Sequence, residues 1–183
     1  ALPEEAAREA VRLARRLALP LEGYTADGGF FVEGDSPLLE AHQRLLGVEA
    51  EGADLLRLSS PLVRLQVLAE GEAPVERLLE ALPRGLQAHV AESPKMPGVR
   101  FVSLTKEGVS KLSAARLVAE AYGLPLSECA MVGDGENDLE LLRAVGVGIA
   151  MGNAPPSVKR AAQRVVAPVE ACGLAEALRL LRG

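Results

Sequence analysis

Met131-Val-Gly-Asp-Gly-Glu-Asn-Asp-Leu-Glu-Leu-Leu142 decides how this chain is read. A short apolar run enters a turn punctuated by Gly133 and Gly135 and loaded with Asp134, Asn137 and Asp138, and an apolar-periodic segment follows. The pattern predicts a buried strand, a tight turn and a helix. In open α/β sheets the carboxyl end of such a strand is where ligands bind. Asp134 and Asp138 offer hard oxygens of the kind magnesium prefers, Asn137 adds a neutral donor and acceptor, and the glycines permit close backbone approach. The same residues are also ordinary turn formers, and Asn137 or Asp138 would serve equally as a helix cap. A calcium loop of the EF-hand type is excluded: counting from Asp134, Leu139 and Val145 stand where a glycine and an acid are required.

Around this stretch, from Lys106 on, helices and strands alternate strictly. Helices are predicted over Ser110–Tyr122, Asn137–Ala144, Pro155–Ala162 and Leu174–Arg182, and strands over Ala130–Gly133, Val147–Met151 and Arg164–Ala167. Such alternation builds βαβ units and a parallel sheet. Upstream the grammar differs. A helix over Glu4–Leu19 ends at Pro20, Asp27-Gly-Gly marks a hairpin between two short β-prone runs, and Ser36 caps a helix to Leu46. Strand candidates at Leu62–Ala69, Leu86–Ala91 and Val99–Thr105 surround a helix over Pro74–Leu82. Neighbouring strands there suggest an antiparallel sheet with helices on one face. The expected organisation is an α+β domain over 1–104, followed by part of an α/β domain over 105–183.

Composition narrows the function classes. At 183 residues and 49% hydrophobic content the chain can bury a sizeable core, and its formal charge of -5 leaves no basic footprint for nucleic acid. Its longest apolar stretches, such as Val145–Met151, fall far short of the ~20 residues that span a membrane. Ala1–Leu19 is Arg-studded and amphipathic rather than an apolar leader, so a cytoplasmic protein is expected. Cys129 and Cys172, widely spaced among apolar neighbours, are expected as buried, reduced thiols.

Lys111 breaks a local rule. It follows Ser110, the expected N-cap, and so places a cation in the first turn of a helix whose dipole disfavours it, by up to about 1 kcal/mol. A phosphate bound at that helix end would turn the penalty into a gain. Taken alone, the residue also reads as a solvated surface lysine.

Gly108-Val-Ser-Lys111, Gly133-Asp-Gly-Glu-Asn-Asp138 and Ala150-Met-Gly-Asn-Ala154, in that order and spacing, resemble the last motifs of Cof-like (class IIB) members of the haloacid dehalogenase (HAD) superfamily. The resemblance is close over Lys106–Gly183 and rests on element order alone over 1–104. It implies an α/β fold: the C-terminal half of a Rossmann-like core, preceded by an α+β cap that reads the substrate. It further implies a magnesium-dependent phosphatase of small phosphorylated metabolites. Lys111 matches the lysine that neutralises the transferring phosphoryl group. Asp134 matches the carboxylate that holds Mg2+, and Asp138 the second acid of that metal motif, supporting it from behind. Asn137 matches the asparagine that positions phosphate or lysine. Asn153 lies in the substrate-side loop, where it reads equally as a helix cap. Arg64, His89, Tyr24 and Arg100 fall in the cap, each also readable as a surface or packing residue.

The family's opening Asp-x-Asp-Gly-Thr, with its nucleophile, is not matched: Asp27, Asp35 and Asp54 all lack the paired spacing. The chain is therefore expected to be a fragment, inactive alone, with an uncovered sheet edge. That edge favours self-association or pairing with the missing N-terminal core segment. The alternatives are a non-catalytic binding module derived from this fold and a phosphomannomutase-like enzyme fragment.

Overall fold

The computed structural model describes residues 1–182, which fall into two compact units, Ala1–Gly108 and the stretch from Val109 onward. The first unit contains helix α1 (Glu4–Arg16), strands β1 (Leu21–Thr25) and β2 (Phe30–Glu33), helix α2 (Pro37–Leu46), and strands β3 (Glu51–Gly52) and β4 (Leu62–Glu70). Helix α3 (Ala73–Glu80) and strands β5 (Leu86–Ser93) and β6 (Met96–Lys106) complete it. The six strands form one sheet in the order β3-β2-β1-β4-β6-β5, antiparallel throughout except for the β2–β3 pair. The two-residue β3 carries no alternation and was not expected from the sequence.

Helix α1 forms because Glu4 and Glu5 sit at its positive end and Arg15 and Arg16 at its negative end, while Ala7, Ala10, Val11 and Ala14 make an apolar stripe. That stripe packs on Leu21, Leu65, Val67 and Val102 of the sheet, together with Val75 and Leu78 of α3. Each fully buried Leu or Val here stabilises the unit by roughly 1.5–3 kcal/mol. Ser36 does cap α2, accepting from Leu38 N at 3.3 Å, and Gly47 closes it in a left-handed conformation (φ 67°). The expectation of helices on one face is corrected, however. Leu39 of α2 packs with Leu68, Phe101 and Val99, on the face opposite the α1 and α3 stripe, because neighbouring residues of β4 point alternately to the two sides.

The second unit holds α4 (Lys111–Ala121), β7 (Ala130–Gly133), α5 (Leu139–Ala144), β8 (Val147–Ala150), α6 (Pro156–Ala161), β9 (Arg164–Val165) and α7 (Gly173–Arg182). Its three strands are parallel in the order β7-β8-β9. One side is closed by Leu142, Ala150, Ala154 and Val158, the other by Ile149, Met151, Val166 and Ala177. No strand among the described residues pairs with the other edge of β7. Leu117 and Val118 of α4, Tyr122 at its C-cap, and Leu174 and Leu178 of α7 stay exposed.

The two cysteines are free, but the expected burial is corrected: Cys129 is half-buried and Cys172 exposed. Cys172 ends a 3-10 turn in the left-handed region (φ 56°), which turns its side chain away from the sheet core. No helix among the described residues is long and apolar enough to cross a membrane.

Candidate functional site

The turn after β7 is held by one side chain. Instead of a helix running from Asn137, a 3-10 turn spans Glu136–Asp138, and Asp138 folds back so that its Oδ2 accepts from the backbone N–H of Asp134 and of Gly135, both at 3.1 Å. The carboxylate occupies the space beside Gly133. A Cβ on Gly133 would sit 2.6 Å from Asp138 Oδ2, so glycine is required there for close approach. Asp138 is 2% exposed, and such burial of a charge is tolerated only with partners.

Its third partner is Lys111. The Lys111 ammonium donates to Asp138 Oδ1 and, more weakly at 3.4 Å, to Asn137 Oδ1. Ser110 caps α4 reciprocally with Ser113: Ser113 N donates to Ser110 Oγ at 3.1 Å and Ser110 N to Ser113 Oγ at 2.8 Å. The dipole penalty on Lys111 is therefore offset within the protein by Asp138. Half-exposed, at 48%, the ammonium still has N–H capacity directed to solvent.

Asp134 stands exposed at the end of β7, with Oδ2 accepting from Asn153 Nδ2 at 3.0 Å. Asn153 Oδ1 in turn accepts from Val169 N at 3.1 Å, so its amide is engaged at both ends and fixes Asp134. The cap of α6 is Pro155, which disposes of the reading of Asn153 as that helix's cap. Ser157 donates to Glu136 Oε1 at 3.1 Å, a tie across the same turn that sequence reasoning missed and no motif signals.

The structure thus brings together all five expected residues, Lys111, Asp134, Asn137, Asp138 and Asn153, within the second unit. Three N–H donors occupy Asp138, which gives it the place of a support for the turn and for Lys111 rather than of a direct metal ligand. Asn153, itself exposed, orients Asp134. No group of three or more His, Cys, Asp or Glu side chains among the described residues converges to hold a metal. Of the five, Asp134 is the one that offers an exposed carboxylate oxygen. That fits a hard cation such as Mg2+, which keeps several waters and is commonly held by one or two carboxylates together with substrate phosphate.

Comparison with known proteins identifies the family. The family described as haloacid dehalogenase-like hydrolase matches residues 2–178. The phosphoglycolate phosphatase of Methanothermobacter thermautotrophicus is 34% identical over 82 residues, 45% of this chain and 37% of that protein. The HMP-PP phosphatase of Cronobacter sakazakii is 31% identical over 137 residues, 72% of this chain and 48% of that protein. A solved phosphatase of the haloalkanoate (HAD) enzyme superfamily from Bacteroides thetaiotaomicron superimposes with a TM-score of 0.75 at 28% identity, covering 98% of this chain and 65% of that one. The chain thus spans less than half the length of these two curated relatives.

Proposed function

The chain belongs to the haloacid dehalogenase-like hydrolases, of the Cof-like kind, and from that premise we propose that it is the cap and C-terminal core of a magnesium-dependent phosphatase of small phosphorylated metabolites. The observation that carries the reading is the Lys111–Asp138 pair at the carboxyl end of β7, beside an outward Asp134 fixed by Asn153. Phosphoryl transfer asks a protein chiefly for positioning and charge neutralisation. Lys111, aimed by Asp138 and Asn137, attracts and orients the phosphoryl oxygens. Asp134 and its attendant waters would hold Mg2+, whose bound form neutralises charge on those oxygens. The phosphatase names of the relatives support the substrate class.

The nucleophile of this chemistry is an aspartate of an Asp-x-Asp pair, and none occurs among these 183 residues. We place it on a strand that joins the free edge of β7, a reading supported by the exposed apolar side chains of α4 and α7. The 183-residue chain alone is then expected to bind phosphate weakly and to hydrolyse p-nitrophenyl phosphate no faster than buffer. A longer chain carrying an Asp-x-Asp-Gly-Thr segment turns over with Mg2+, and Asp134→Asn raises its magnesium requirement sharply. Metal-dependent turnover by the short chain, abolished by Asp134→Asn, would show the nucleophile to be misassigned. The missing pair is also the one observation that favours a non-catalytic binding module, and phosphate retention without turnover in both chains would select it.

A further inference from the structure

The six-stranded sheet of the first unit ends differently on its two sides. β3 closes one edge with two residues, whereas β5 leaves eight on the other, and no strand among the described residues pairs with its outer side. Proteins ordinarily blunt such an edge by shortness, a lysine, a proline or a bulge within the strand. Here Pro94 and Lys95 come only after it, and the shift of register lies at its end, between Glu92 and Ser93. From Leu86 to Ala91 the strand bears no Asp, Glu, Lys or Arg.

The ladder fixes which backbone groups this edge presents. Glu107 N donates to Gly85 O at 2.9 Å, so those two residues form a hydrogen-bonded pair, and by alternation so do Gln87 with Thr105, His89 with Ser103 and Ala91 with Phe101. The far side of β6 agrees. Gly71 N donates to Gly98 O at 3.2 Å, which assigns Arg100, Val102 and Leu104 of β6 to bonds with β4. Ala88 and Val90 are thereby left with both backbone groups turned outward. Glu92 ends this row on one side and Leu86 on the other, where Leu86 N is taken by Pro83 O at 3.3 Å and its carbonyl is directed outward.

We propose that the outer edge of β5 is a contact surface for a second copy of this chain, the two strands running antiparallel about a two-fold axis at His89. An antiparallel edge is its own complement under such an axis. In this register Ala88 of each copy exchanges both bonds with Val90 of the other, and Glu92 N donates to Leu86 O at each end. The charges fit as well. The two Glu92 carboxylates, each already paired with Arg100 of its own copy, stand at opposite ends of the ladder. Each then approaches Arg84 of the other copy, two positions before Leu86, an exposed cation with no ion-pair partner among the described residues. A foreign strand would have to supply that match, whereas a second copy carries it. Leu86–Glu92 engages far fewer residues a side than the about 20–30 of a standard interface, so the dimer is weak and reversible. The proposal uses no residue of the second unit and stands or falls apart from the phosphatase reading.

The test follows the full 183-residue chain by sedimentation equilibrium and by amide NMR at concentrations up to about 1 mM, which reveals dissociation constants as weak as millimolar. With rising concentration the mass climbs from 19.2 kDa towards twice that value. The amide resonances of Ala88 and Val90 move downfield together, while that of His89, already bonded to Ser103, moves less. Val90→Lys, which places a charge on the edge, and Val90→Pro, which removes only an outward N–H and spares the β5–β6 ladder, each weaken the dimer at least about tenfold. A mass that stays at 19.2 kDa overturns the proposal. So does undiminished association in a folded Val90→Lys chain, or association that leaves Ala88 and Val90 unmoved, since either locates the contact elsewhere, such as the edge of β7. The wild-type resonances decide the matter even if neither variant folds.

Discussion

Each unit buries one carboxylate and gives it three partners, yet the two are built for different ends. Glu22 gathers a helix and two strands, from His42 of α2 to Gln66 of β4, and so stitches elements far apart in the chain. Asp138 gathers two backbone N–H groups of its own turn and one half-exposed cation, Lys111. The first spends its charge on architecture. The second spends half of it on a tight turn and the other half on aiming an ammonium outward, which is what a site for a charged reactant needs.

The largest expected effect tests that division directly. Lys111→Ala in the complete enzyme lowers turnover by about a hundredfold or more, while stability falls by only about 1–2 kcal/mol, because two backbone N–H groups still hold the buried Asp138 carboxylate. Steady-state kinetics beside urea unfolding separates the two, and a large stability loss with normal turnover would make Lys111 architectural like Glu22. Next comes truncation of the carboxylates themselves. Glu22→Ala and Asp138→Ala should each cost about 3 kcal/mol by stranding buried partners, the loss appearing in the first unit for Glu22 and in the second for Asp138. Hydrogen-bonded amides followed by NMR through a urea series would assign the losses, and a common loss in both units would merge what the comparison divides.

Gly133→Ala is a smaller step. Its Cβ would meet the Asp138 carboxylate at 2.6 Å, an overpacking expected to cost about 1–3 kcal/mol in the second unit alone. An unchanged unfolding midpoint would mean the turn yields easily. The smallest effect concerns the surface of the first unit, where Arg15 bonds Glu33 at 2.5 Å and Asp54 at 2.6 Å. The Arg15 guanidinium holds the Asp54 carboxyl below its ordinary 3.8. A lowered folded pKa means stabilisation present at neutral pH and lost as pH falls through and below that range. Arg15→Met should therefore depress the melting temperature slightly at pH 7 and not at all near pH 2, and a pH-independent difference would trace the effect to packing.

How much of this was legible depended on how local the signal was. The parallel half was readable because β7, its acidic turn and α5 are contiguous, and because Gly133, Asp134 and Asp138 carry their chemistry within six residues. Ser110 and Ser36 announced their helices for the same reason. The Glu22 network was not readable. Glu22 looks like any outward strand residue until His42, twenty positions on, and Gln66, forty-four on, are folded against it. The placement of α2 on the far face was hidden for a similar cause, since both faces of β4 are apolar at Leu65, Val67 and Leu68 and periodicity cannot say which one a helix will choose. Asn153 was picked out by its motif, but its double engagement with Asp134 and Val169 exists only in three dimensions.

The free edge of β7 has a consequence for amide exchange. Cys129 and Gly133 give their carbonyls to Val147 and Met151 of the β8 side, so the parallel ladder turns the alternate residues, Ala130 and Val132, outward. The Val132 N–H then lies within a regular strand yet should trade its proton for deuterium nearly as fast as a loop amide, while Met131, one residue away, is protected by its ladder bond. Slowing of Val132 alone, on adding any other polypeptide, would time-stamp the arrival of a neighbouring strand before any activity could be measured.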